Sequence, residues 1–317
     1  MSLKKADSKK QARNKVRSLR NRIASKLAKS KERQGFVYTM LSLILRIFDH
    51  SVLGKAAELA YYLLFSFLPL IIFATALLGL LNLDTSRFAG LIQFIPQDVM
   101  DLVSSFYNFI KDDKSVTLMY TGLGLGIYFA SAALRSLMRS LDTAYQVKNG
   151  RNPILQFIMS IFFAVIFLAT IVLSLLLMVG GGFIIDIIVK YIPQIGEFQW
   201  IINILRFAVM IFPIFAILML LYIFTPNRKL SVGSAVPGAL FSTIMWIVVS
   251  MIFSYYVANF GRYATLYGSL GAIIVLMLWL YITGMIFILG GELNGVLLER
   301  KRYLTEKKLL DDGEDDD

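Results

Sequence analysis

Six long stretches without a charged residue constrain this chain more than any other feature. They run from Leu59 to Leu83, Ser115 to Leu134, Asn152 to Ile185, Phe207 to Asn227, Leu230 to Gly261 and Tyr263 to Gly291. A helix rising about 1.5 Å per residue needs ~20 residues to cross about 30 Å of hydrocarbon, and each stretch is long enough. The apolar runs are continuous rather than alternating, which excludes a transmembrane barrel. With 57% hydrophobic and 17% charged residues, the chain is too apolar for an ordinary soluble globule. The expectation is an all-α, polytopic membrane protein with six transmembrane helices. The third, fifth and sixth stretches exceed one crossing and are expected to tilt or project.

Orientation follows from the basic residues between the stretches. The N-terminal segment, the loops at 135–151 and 226–230 and the C-terminal segment together carry 26 Lys and Arg. The opposite side carries six: Arg87, Lys111, Lys114, Lys190, Arg206 and Arg262. Basic loops stay on the cytoplasmic face, so both termini are expected inside. Residues 1–35 then form a basic disordered tail, 36–300 the membrane domain with an interfacial helix at 36–50, and 301–317 a charged cytoplasmic tail. The acidic run Asp311 to Asp317 is expected to be solvated and disordered.

Three segments look amphipathic instead of spanning. Phe36 to Phe48 is apolar with a polar edge at Ser42, Arg46 and Asp49, suited to lying along the inner surface. Pro96 opens a predicted helix with a stripe of Val99, Leu102, Val103, Phe106 and Ile110. Ile184 to Trp200, broken by Pro193 and Gly196, reads as an interfacial or re-entrant turn.

The net charge of +11 does not read as a nucleic-acid signature. No aromatic residue interrupts the basic run before Phe36, so nothing there stacks bases, and a basic tail beside a span suits anionic lipid. Membrane lipids are therefore the expected partners, a lipid-like substrate and a homo-oligomer stay open, and no nucleic acid is expected. Cysteine is absent, which removes thiolate chemistry and thiolate metal sites. A single histidine, His50, cannot form a histidine metal cluster and reads as an interfacial polar residue. No Walker-type loop, GxSxG elbow or HExxH occurs. No cofactor, metal or enzymatic activity is expected.

The sequence does place ionisable groups at the inner mouth of the predicted bundle. Glu58 begins the first span, Arg135 and Arg139 end the second, Asp142 follows one turn later, and Glu292 ends the sixth. Residues 135, 139 and 142 share one helical face. Glu58 and Glu292 are expected to face Arg135 and Arg139 across the bundle, because a charge unpaired at the membrane centre costs at least ~2.5–3.5 kcal/mol. Asn294 joins these as a candidate substrate-binding residue. Pro69, Pro237 and Gly238 are candidate hinges, since proline removes a backbone donor and bends or breaks a helix. Gly122, Gly124 and Gly126, and Gly268, Gly271, Gly284 and Gly290, read as small faces for close helix approach.

Four segments resemble the YihY/BrkB family of bacterial membrane proteins, long labelled ribonuclease BN. They are AAELAYYLLFSFLPL from Ala56, LRSLMRSLDTAYQV from Leu134, VPGALFSTIMW from Val236 and YGSLGAIIVLMLWLYITGMIFILGGELNG from Tyr267. The resemblance covers roughly residues 36 to 300. It implies six spans in the inner membrane of a bacterium, with no settled activity and, by analogy, a link to envelope lipids. The ribonuclease label lacks support, since the metal-binding histidines it needs are missing. Two functions are weighed: a transporter or flippase for an amphipathic, lipid-linked or anionic envelope substrate, and a non-transporting scaffold or regulatory subunit.

Overall fold

A computed structural model of the chain describes residues 35–80, 116–147, 152–170, 199–227, 230–259 and 269–314. These residues form seven helices: α1 Phe36–Asp49, α2 Val52–Leu80, α3 Val116–Ala144, α4 Pro153–Thr170, α5 Gln199–Phe224, α6 Val232–Asn259 and α7 Ser269–Glu314. No strand occurs among them. Among the described residues, four helical segments are long and apolar enough to cross a membrane: Val52–Phe73, Pro153–Thr170, Val232–Tyr256 and Ile273–Glu306. Ile211–Phe224 in α5 is a shorter apolar segment. The predicted helix after Pro96 lies outside the described residues, as does the turn from Ile184 up to the start of α5.

The surface supports the membrane reading as strongly as the lengths do. Ile154, Met251 and Tyr255 are 69%, 65% and 72% exposed, and a soluble protein rarely leaves so much large apolar surface open. Lipid tails are as apolar as leucine, so hydrophobicity does not drive one spanning helix onto another. Close backbone approach and interhelical hydrogen bonds must do it. Both occur between α6 and α7. A methyl on Gly290 would lie 2.0 Å from the Ser242 hydroxyl, and one on Gly238 would lie 2.2 Å from the Gly290 carbonyl oxygen. Beside this crossing, the Tyr222 hydroxyl of α5 lies 2.9 Å from Ser242 Oγ and donates to the Phe287 carbonyl at 2.6 Å.

Helix α2 packs antiparallel along α3, and α7 lies against α1, α2, α3 and α6. The start of α2, the end of α3, the start of α6 and residues 290–299 of α7 therefore meet at one end of the bundle. Helix α1 joins α2 there through His50 and Ser51, the latter at φ 53°. Helix α3 stops in a Schellman turn: Val147 N–H bonds the Asp142 carbonyl, Gln146 N–H bonds the Thr143 carbonyl, and Gln146 takes φ 54°.

Pro69, Pro213 and Pro237 lie inside α2, α5 and α6. Around Pro237, Asn294 of α7 accepts from Gly238 N–H at 2.7 Å and donates to the Ala235 carbonyl at 3.1 Å. A neighbouring helix thus bonds the backbone beside the proline. Two expectations are corrected. Helix α7 continues to Glu314, so the acidic run starts as helix. At 46 residues, α7 is about 70 Å long and must project well past a bilayer. Finally, the polar edge of α1 does not face solvent at Arg46, which is buried.

Candidate functional site

The charged residues at this end of the bundle centre on Glu292. Its side chain is fully buried within an apolar segment of α7. One carboxylate oxygen lies 3.1 Å from Arg46 Nη1 and the other 2.7 Å from His50 Nδ1. Arg46 also donates to Glu299 at 2.7 Å through Nη2, and to the Ala144 carbonyl at 2.8 Å through Nη1. Ala144 is the last residue of α3, where free carbonyls carry the negative end of the helix dipole. One guanidinium therefore ties α1 to the end of α3 and to two turns of α7. The site is tight enough that a methyl on Gly295 would lie 2.3 Å from the Ala144 carbonyl oxygen.

A second pair lies nearer the surface. Arg139 Nη2 is 2.5 Å from Glu58 Oε1, both side chains being largely exposed. Beside them Lys55 Nζ donates to Thr143 Oγ1 at 2.9 Å. Asp142 Oδ1 accepts the Asn227 N–H at 3.2 Å, tying the end of α3 to the segment after α5. Burial raises the phenol of Tyr145 above its ordinary range, so it remains a neutral neighbour of Asn294 and Glu292.

Of the expected pairings, Glu58 with Arg139 is present, and Glu292 with either Arg135 or Arg139 is not. Helix α1 packs against α7, and its Arg46 together with His50 at its end holds the carboxylate. Arg135 instead donates through Nη1 to Ser131 Oγ at 3.0 Å and Ser160 Oγ at 3.1 Å, with its guanidinium carbon 5.0 Å from the Phe157 ring centre. Asn294 is bound to α6 backbone as a brace. Sequence reasoning missed Arg46, His50, Glu299 and Lys55. The available signal was the four-residue spacing of Arg46 and His50, which puts both on one face of an otherwise apolar helix.

A bundle of long apolar helices with a charged cluster buried at one end defines a polytopic helical membrane protein. The chain belongs to the BrkB family: the family described as Virulence factor BrkB matches residues 43–315. It is 37% identical over 258 residues to the ribonuclease-like protein YfkH of Bacillus subtilis strain 168, covering 81% of this chain and 94% of that protein. It is 24% identical over 270 residues to a UPF0761 membrane protein of Aliivibrio salmonicida strain LFI1238, covering 83% and 84%. A UPF0761 membrane protein of Aliivibrio fischeri strain ATCC 700601 / ES114 is 26% identical over 293 residues, covering 88% and 89%. No solved structure matches the chain.

Proposed function

We propose that this BrkB-family protein is a transporter or flippase of an amphipathic, lipid-linked or anionic envelope substrate. In this reading it crosses the bacterial inner membrane six times and keeps both termini in the cytoplasm. The observation that carries the proposal is Glu292, a fully buried carboxylate in an apolar helix, held by Arg46 of a separate short helix and by His50 at that helix's end. An ionisable group inside a membrane helix is expensive, and such groups mark substrate paths and switching elements more often than plain scaffolding. Here Arg46 and His50 act as partners that Glu292 exchanges while substrate passes, with Arg139 and Glu58 at the rim of the same mouth.

The basic surplus on the loops at 135–151 and 226–230 supports the orientation, and the basic N-terminal segment suits anionic lipid. A non-enzymatic role is favoured by the side chains available. The one histidine is engaged by Glu292, and among the described residues no group of three His, Asp or Glu side chains has an arrangement that could hold a metal ion. The ribonuclease-like name of YfkH belongs to that relative.

A second reading, a scaffold or regulatory subunit, is favoured by the close α6–α7 crossing and by the bonds of Asn294 to the α6 backbone. Purified protein in liposomes separates the two. Exchange of labelled phosphatidylglycerol between leaflets, faster than in protein-free liposomes, supports transport. An unchanged rate for all anionic lipids tested supports the scaffold.

A further inference from the structure

The two arginines of α3 differ in a way that bears on substrate. They lie one turn apart on one helical face, Arg135 about 6 Å further along the axis from the end of α3 than Arg139. Arg139 has the Glu58 carboxylate. Arg135 has no acidic partner among the described residues, and every acceptor it meets there is a neutral hydroxyl.

The hydrogen bonds of those hydroxyls are already ordered. Ser131 Oγ donates to the Tyr128 carbonyl at 2.8 Å and Ser160 Oγ donates to the Phe157 carbonyl at 2.7 Å. Each serine therefore presents lone pairs to Arg135, and both serines are buried. Both contacts fall on Nη1. A guanidinium has five N–H donors in a planar fork, so Nη2 and Nε keep donors that no described residue accepts. The group is only part-buried. Beside it stand two exposed aromatic residues, Tyr128 of α3 and Phe157 of α4. A cation fixed by serines, with half its fork unfilled and an apolar surround, is complementary to a phosphate group on an amphiphile.

We infer that Arg135 is a binding residue for the phosphate of an anionic amphiphile, seated between α3 and α4 with its apolar part along Tyr128 and Phe157. Ser131 and Ser160 are positioning residues that hold Nη1 so that Nη2 and Nε point to the ligand. This inference rests on the transport reading only in naming the ligand as substrate.

Equilibrium retention of labelled phosphatidylglycerol by the full-length protein in detergent tests it without any transport step. Arg135→Gln should weaken retention at least tenfold, and Arg135→Lys, which keeps the charge but loses the fork, several-fold. Ser160→Ala alters no charge and should weaken it two- to threefold, which guards against a folding defect in the arginine variants. Lys301→Gln, an exposed cation on α7, should leave retention unchanged. Excess unlabelled phosphatidylglycerol should displace the label, while millimolar inorganic phosphate and diacylglycerol should not. Displacement by inorganic phosphate alone would assign the site to a free anion and overturn the lipid assignment. Equal losses in Lys301→Gln and Arg135→Gln, or none in a folded Arg135→Gln, would overturn the inference altogether. Retention that depends on Arg135 in a protein that moves no lipid would refute transport and leave this site standing.

Discussion

Glu292 and Arg46 make opposite predictions singly and together. Removing one partner of a buried ion pair strands the other, at about 3–5 kcal/mol, whereas replacing both with apolar residues of similar volume is often neutral. Glu292→Leu should therefore lower the melting temperature of the purified protein sharply, and adding Arg46→Met should recover part of the loss, since His50 and the Ala144 carbonyl still lack their partners. A double variant no more stable than the single one would show that the pair does not hold α1 to α7. At this scale the sequence was legible for Glu58 and Arg139, whose pairing joins the start of one span to the end of the next. Glu292 was misassigned because charge and depth name a need for a partner without naming which cation reaches it. Arg46 stands on a helix that reads as surface-bound, and only tertiary packing turns its edge inward.

Among the elements, the α6–α7 crossing gives the sharpest test, because its closeness leaves no room for a side chain. Gly290→Ala would put a methyl 2.0 Å from Ser242 Oγ and 2.6 Å from the Tyr222 hydroxyl, forcing the helices apart at roughly 1–3 kcal/mol or more. Gly124→Ala meets nothing within 4 Å and should leave the melting temperature within a degree or two. Equal effects would mean the crossing is looser than described. The sequence marked Gly122, Gly124 and Gly126 alike as a packing face. In the bundle Gly122 meets the Pro69 carbonyl and Gly126 meets Leu70, while Gly124 is open, since a helix turns the middle of an i, i+2, i+4 set away from its neighbour. Proline marks where a helix loses a bond, and only the fold reveals that Asn294 supports the α6 backbone there.

For the whole molecule, helical class and membrane residence were legible because long uncharged runs admit few alternatives. The positions of α1 and α7 were not, since interfacial and buried amphipathic helices share one pattern. Topology remains a prediction with a direct test, and the absence of native cysteine makes it clean. With both termini inside, a cysteine at Asp312 should resist an impermeant thiol reagent in intact cells and react after permeabilisation. Labelling in intact cells would reverse the orientation.

The account turns on Glu292 acting in transport beyond its part in folding. Glu292→Gln removes the charge yet keeps an acceptor for Arg46, so the variant should insert and stay folded where Glu292→Leu is weakened. The most direct measurement is leaflet exchange of labelled phosphatidylglycerol in liposomes holding equal amounts of folded wild-type and Glu292→Gln protein. Wild type should exchange the lipid well above the protein-free rate and Glu292→Gln should fall to that rate. Equal exchange by the two proteins would contradict the account.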